Sequence, residues 1–495
     1  MKVIYKDIAP GAAEDAEFSS ASLMTMSQID RLTEDLEMPL ISTLEENGWP
    51  LDGSTALLSG ANQGGIVVWS TALSDGETVF STPPEIDIEF DNQYSSLGIT
   101  LRFSQRIEDI CSEVELIWYR EGTEIARQTF YPDEASYYCE SRVEAYDKVT
   151  VRFLKTWLPY KRMRLEFVGF GIMRTYGDSE LSEGSLSTIQ QIDPTMGSIP
   201  ANTFDWELRS ASHVEYLFQF KQAIEVWGDS FIGVYYVDDS TRHSKTRYSI
   251  KCTDAVGVLE TDFFEGGVYT NYDAETLIRE ICGGFIVYWD EALAGRTVSG
   301  YIQPGTKRRD ALKMVCQALC AVADTAKSDG IKVFPLKKEN LRQIGGERTY
   351  YGTTIKTAAA VTAVKVIGYT YTEGTPGNND KYITVGDKTY IYTETEYTAR
   401  NPLATASDKA NIKEYKNTMI RDSDAQAVAD YMLARHMERQ SHNVSFILND
   451  EDTLGDYAES TTDFGATHTG FITKMTIKLG GLTRADSIVT GEAAI

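Results

Sequence analysis

Between residues 81 and 172 apolar and polar side chains alternate with a period of two. Ile86, Ile88 and Phe90 interleave with Asp87, Glu89 and Asp91, and Ile99, Leu101 and Phe103 with Thr100 and Arg102. The pattern repeats at Val114, Leu116 and Trp118, at Val149, Val151 and Phe153, and at Met163, Leu165 and Phe167. Successive side chains of a strand point to opposite faces, so this alternation predicts five strands with one buried and one wet face. Such strands build an antiparallel, jelly-roll-like β-sandwich.

The pattern changes on either side. Residues 1–80 carry little periodicity and form an N-terminal arm with a compact cluster, Thr43 to Gly53 and then Val67 to Ser70, that holds two tryptophans. Residues 173–200 are a Gly- and Ser-rich linker closing on Asp193-Pro194 and Ile199-Pro200. Strands return in 201–265, where Gly228-Asp229 between apolar runs predicts a two-residue hairpin. From 270 to 335 the period becomes helical. Asp273 is an N-cap for a face of Ala274, Leu277, Ile278 and Ile281, and Thr306 opens a second helix with Ala311, Leu312, Val315, Cys316 and Leu319 on one side. Ile331 and Val333 close the segment as a strand. The region from 345 onward is mostly β, with a second hairpin at Gly386-Asp387. One helix is signalled by the capping-box sequence Ser423-Asp424-Ala425-Gln426 and the apolar positions Val428, Met432 and Leu433.

The fold class that follows is mainly β and multidomain (α+β). A β-sandwich module over 81–172 precedes two β-barrel domains, 173–265 and 345–495, which flank a small helical α/β insert over 266–344. A chain of 495 residues is too long for one hydrophobic core. Aromatic residues reach 11%, with 28 tyrosines, which reinforces the strand reading.

A net charge of −26 disfavours stable binding to nucleic acid or to anionic membrane, since both need Lys and Arg to replace counterions. Six cysteines without a CxxC pair read as free thiols of a protein made in a reducing cytoplasm. Cys316 and Cys320, one helical turn apart, read as small core residues rather than half a metal site. The N-terminus lacks the apolar stretch of a signal peptide, and no run approaches the ~18 apolar residues of a membrane span.

Catalytic signatures are missing from the sequence. The histidines at 213, 243, 436, 442 and 468 form no HExxH motif, and no GxSxG, Walker loop or GxGxxG is found. His436 and His442, in a charged stretch, read as surface residues. Asp87, Glu89 and Asp91 share one strand face and are a candidate calcium set, against the alternative of a solvated outer face. Trp157, Tyr160, Tyr137 and Tyr138 are candidates for stacking on sugar rings at the sandwich edge, with buried packing or a protein interface as the alternative. No cofactor is expected, and the chain does not read as an enzyme.

A family resemblance emerges from several dispersed motifs. Gly266-Gly267-Val268-Tyr269, Ala274-Glu275-Thr276-Leu277-Ile278, Gly300-Tyr301-Ile302 and Arg308-Arg309-Asp310-Ala311-Leu312 resemble baseplate hub (tail tip) proteins of phages and prophages of Gram-positive bacteria. Ile232 to Val237 and Thr253 to Leu259 look like the first barrel of that family. Asn401-Pro402, the helix around 427–433, Gly455-Asp456 and Gly470-Phe471-Ile472 look like the second. The likeness runs from about 180 to 490, and the 81–172 sandwich looks like the galactose-binding-like module that precedes some hubs. The resemblance implies a homotrimer in the virion tail, made in the bacterial cytoplasm; with no signal peptide or membrane span in the sequence, exit from the cell is expected by lysis or within a particle. Its partners are the distal tail or tail-tube protein, the tape measure protein and a spike or fibre-bearing component, with DNA only in transit. A glycan-binding host-adhesion protein of the tail tip is the competing expectation, with host cell-wall glycan as its ligand. A cell-wall hydrolase is a third.

Overall fold

The computed structural model describes residues 2–9, 12–34, 42–43, 45, 68–103, 110–182, 186–209, 220–404, 410–479 and 483–492. The Trp49 to Gly53 cluster and His213 lie outside them. The chain is mainly β and divides into two compact units: residues 4–175, and residues 176–495 together with the first three.

In the unit of residues 4–175 a six-stranded and a two-stranded sheet are built from β1 (Glu17–Ser19), β2 (Val68–Trp69), β3 (Glu85–Arg102), β4 (Cys111–Arg120), β5 (Thr123–Phe130), β6 (Ser136–Thr156), β7 (Arg164–Leu165) and β8 (Phe167–Gly169). One antiparallel sheet runs β1-β3-β6-β4-β5, with β8 also against β3, and β2 pairs separately with β7. Every apolar residue of the predicted alternation is buried. The strand count differs from expectation, because 86–90 and 99–103 are two halves of the single bent strand β3. Pairing with β6 shifts register three times between Glu89 and Gly98. A Cβ on Gly98 would lie 2.2 Å from the Cys139 carbonyl oxygen, so only glycine lets the two strands approach this closely at the bend. Both halves then cover the same core.

In the second unit we label β9 (Ser187–Gln191), β10 (Thr203–Arg209), β11 (Ala223–Trp227), β12 (Phe231–Arg242), β13 (Arg247–Thr253), β14 (Gly267–Asp273), α1 (Ala274–Cys282), β15 (Val287–Trp289), β16 (Thr297–Ile302), α2 (Arg308–Leu319), β17 (Val322–Asp324) and β18 (Ile331–Phe334). There follow β19 (Arg342–Ile344), β20 (Thr354–Thr357), β21 (Ala363–Glu373), β22 (Lys381–Val385), β23 (Lys388–Arg400), β24 (Ile412–Arg421), α3 (Ala425–Met437), β25 (Gln440–Ile447), β26 (Tyr457–Thr461), β27 (Thr467–Lys478) and β28 (Arg484–Gly491).

The early and late β segments meet along β27. One edge of this strand pairs with β28, while the other pairs first with β26 and then with β9. A continuous hydrogen-bonded path, β11-β12-β13-β10-β9-β27-β28-β25-β20, therefore carries strands from both ends of the unit. Between them α1 and α2 pack with β14 to β18 around Leu277, Ile278, Ile281, Leu312, Val315 and Cys316. The sheet β22-β23-β21-β24 packs against α3 through Val364, Val366, Val428, Ala429 and Met432.

Turn and cap chemistry met expectation unevenly. Gly386-Asp387 makes the predicted two-residue turn, with Val385 opposite Lys388. At Gly228-Asp229 the loop takes in Ser230 as well, because the ladder shifts register between Val226 and Trp227 and leaves Trp227 opposite Phe231. Asp273 caps α1 as predicted, its carboxylate accepting from Thr276 N at 2.9 Å. Thr306 caps nothing. Its hydroxyl donates to the Gln303 carbonyl at 2.6 Å, and α2 starts after Lys307. The capping box at Ser423 also does not form, since Ser423 lies in a 3-10 turn with its hydroxyl on Asp424 and Gln426 reaches forward to Asp430.

Candidate functional site

The carboxylates of the predicted calcium set lie on the wet face of the β3-β6-β4-β5 sheet. Glu85 sits opposite Arg152, Asp87 opposite Thr150 and Glu89 opposite Lys148. Arg152 Nε donates to Glu85 at 2.6 Å and its Nη1 to Glu115 at 3.1 Å, and Arg127 bridges Glu115 and Glu124 at 3.0 and 2.8 Å. Lys148 Nζ is 2.9 Å from Glu89 and 3.3 Å from Asp87, which also accepts from the Thr150 hydroxyl at 2.5 Å. These rungs floor an open groove of about 880 Å³ that Asp91 also lines. Asp87 and Glu89 thus face cations of the same chain, and such half-exposed pairs contribute only ~0–1 kcal/mol each. Among the described residues no group of three or more His, Cys, Asp or Glu is arranged to hold a metal ion.

The predicted sugar-stacking residues divide. Trp157 and Tyr160 are 43% and 53% exposed, and Tyr131, which the sequence reading missed, is 64% exposed. Trp157 Nε1 donates to the Pro132 carbonyl at 3.0 Å, which brings the 131–135 loop beside it. Tyr137, two positions into β6, packs partly against the core. Tyr138 is taken away from this group, because its hydroxyl donates to the Leu97 carbonyl at 2.5 Å and its ring lies over Gly98. The signal for Tyr131 was present in its place after Phe130, where β5 gives way to a loop.

In the second unit the motif residues of the resemblance serve caps and close contacts. Asp254 is fully enclosed. Its Oδ1 accepts from Gly257 N at 2.8 Å, and its Oδ2 from Asn202 N at 2.9 Å and the Thr325 hydroxyl at 2.6 Å. The Asn202 amide group then donates to Asp324 at 3.1 Å and to Thr325 at 2.9 Å. This network ties β10, β13 and the segment after β17 together. Burial pushes the Asp254 carboxyl up to about 6 despite these bonds. Arg308 donates to the Glu280 and Ile281 carbonyls at 2.7 Å, closing the C-terminal end of α1. Gly300 allows β16 to pass β24, since a Cβ there would lie 2.5 Å from both Met419 Cα and the Thr418 carbonyl oxygen.

The histidines correct the surface expectation. His436 lies in the last turn of α3, half-buried, with Nε2 2.6 Å from the Tyr415 hydroxyl. His442 and His468 are buried and face each other with ring centroids 5.7 Å apart. His442 Nδ1 is 2.6 Å from the Ser460 hydroxyl, and His468 Nε2 donates to the Val489 carbonyl at 3.1 Å. Burial lowers both, His442 to about 4. The missed signal was positional: His442 shares a strand face with Val444 and Phe446, and alternation turns that face inward.

No family model matches the chain, and no curated protein matches it. Among solved structures, the 43 kDa tail protein of prophage MuSo2 from Shewanella oneidensis aligns at 10% identity and a TM-score of 0.44, covering 61% of this chain and 93% of that one. The prophage tail protein gp18 from Listeria monocytogenes aligns at 10% identity and 0.42, covering 64% and 91%. A tail protein from Neisseria meningitidis aligns at 10% identity and 0.43, covering 62% and 92%. All three scores lie below one half.

Proposed function

We propose that the chain is a structural component of a phage-type tail, a baseplate hub that closes the tail tube and works without catalysis. The observation that supports this most is the use to which the resemblance motifs are put. Asp254, Gly300 and Arg308 cap helices and admit close packing, and among the described residues no group of three or more His, Cys, Asp or Glu is arranged to hold a metal ion. Such residues specify a rigid frame. A hub of this family is a homotrimer contacting the tail-tube protein, the tape measure protein and a spike or fibre-bearing component in the virion. A ring of acidic subunits would let DNA pass without sticking, because carboxylates repel phosphates.

The test is the mass of the full chain by light scattering, alone and with the tail-tube protein. Three times 55.2 kDa, in either condition, is the expected result. A monomer in both would sink the hub reading. Zymography on peptidoglycan tests the absence of catalysis, and a cleared band would overturn it.

A second reading, glycan-binding adhesion, is favoured by one feature, the exposure of the aromatic side chains of Tyr131, Trp157 and Tyr160. Aromatic faces of this kind stack on sugar rings. Binding of cell-wall glycan lost in Trp157→Ala would support it.

A further inference from the structure

We propose that the free edge of β20 binds an extended segment of a partner protein in which acidic and apolar residues alternate. β20 lies at the end of the hydrogen-bonded path that runs through β28 and β25. It pairs with β25 along one side, and among the described residues nothing pairs with the other. All of its residues are exposed. Ala358 N donates to the Arg439 carbonyl at 2.9 Å, so by the alternation of an antiparallel ladder Thr354 and Lys356 also turn their backbone groups toward β25. Ile355 and Thr357 therefore point their N–H and C=O groups outward, where only another strand matches them. Just upstream the chain guards this edge itself, since Asp463 accepts from the Gly352 and Thr353 N–H groups at 2.8 and 3.0 Å. No such guard follows Thr353.

The side chains specify what the incoming strand carries. Ile355 stands opposite the buried His442 and yet is 37% exposed, because no strand lies beyond it. An apolar residue alongside would cover it. Lys356 projects from the opposite face, opposite Ser441 and diagonal to Arg439. Arg439 Nη1 donates to the Ala358 carbonyl at 2.8 Å, which fixes the guanidinium beside the strand. Although the chain carries −26, neither cation forms an ion pair among the described residues. Acidic residues on that face of the incoming strand complement both. Past Ala358 the edge runs into a pocket of about 810 Å³ lined by Ala359, Ala360, Val361, Leu403, Met437 and Arg439. This volume falls within the ~300–1,000 Å³ of ligand pockets and takes a large apolar side chain at the end of the segment. Glu492, the acidic residue of its lining, is already held by Lys338 at 2.7 Å.

Charge also excludes two other occupants. Two-fold pairing with a second copy through both Ile355 and Thr357 sets Lys356 against its own mate, and like charges directly opposite destabilise a ladder. A basic segment meets the same two cations. The site goes beyond the hub and adhesion readings and does not depend on trimerisation.

Fluorescence anisotropy of the full chain with a labelled hexapeptide that alternates Glu and Val and ends in Phe tests the proposal. Saturable binding is expected at ~0.05 M salt, at least about tenfold tighter than for the same peptide with Lys in place of Glu. Thr357→Pro removes an outward N–H and no bond to β25, and should weaken binding by at least about tenfold. Lys356→Glu should weaken the Glu peptide as much and strengthen the Lys peptide. Near-UV circular dichroism reports whether each variant is folded, and Lys356→Glu decides if the proline variant is not. No saturation up to ~1 mM peptide overturns the site. A folded variant that binds as the parent does overturns it too, and equal binding of the Lys peptide overturns the acidic partner. Light scattering covers the remaining occupant: self-association that Thr357→Pro abolishes would put a second copy on this edge and overturn the partner segment.

Discussion

Single buried groups are where sequence reading was weakest and the chemistry is most testable. Asp254 satisfies two backbone N–H groups and a buried hydroxyl at once. Asp254→Ala strands all three, and we expect a loss of ~2–4 kcal/mol by chemical denaturation; a change below ~1 kcal/mol would refute the keystone role. His442 offers a pH signature. Its folded value of about 4 lies below the ordinary 6.5, so the unfolded chain binds the proton first as pH falls. Its contribution is whole above pH 6.5 and is lost as pH falls toward 4. The stability of the parent relative to His442→Gln should therefore drop by on the order of 3 kcal/mol between neutral pH and pH 4. Asp254 acts oppositely, since its raised value of about 6 makes ionisation cost stability as pH rises from 3.8. The two partly cancel in the parent, so only the difference between parent and variant reports either one. A difference flat with pH would show that the His442 imidazole titrates alike in both states.

At the scale of elements, periodicity read strands and helices well and read their ends poorly. The alternation at 86–90 and 99–103 marked the correct buried positions but could not show that one bent strand carries both, because the bend depends on the approach of β6 to Gly98. Caps failed for a related reason. Ser423 and Gln426 have the right spacing, yet the Ser423 hydroxyl donates to Asp424 and the Gln426 amide to Asp430. Gly300 is invisible to periodicity and decisive in packing. Gly300→Val should lower stability by ~1–3 kcal/mol or more through overpacking of β16 on β24, read as a lower Tm. An unchanged Tm would mean that the two strands part easily.

For the whole molecule the governing quantity is charge. If copies assemble, mutual repulsion of −26 per chain opposes them, and salt screens it. Self-association should therefore strengthen as ionic strength rises from ~0.05 to ~0.5 M, followed by light scattering. Weakening with salt would instead point to an interface held by opposite charges. The sequence by itself determined the β class, the buried faces, the positions of α1 to α3 and the acidic surface, because each depends on local spacing or on a sum over residues. Tertiary structure decided the rest. That β27 joins early and late strands, that Asp254 locks three segments and that His442 is buried all depend on residues brought together from distant parts of the chain.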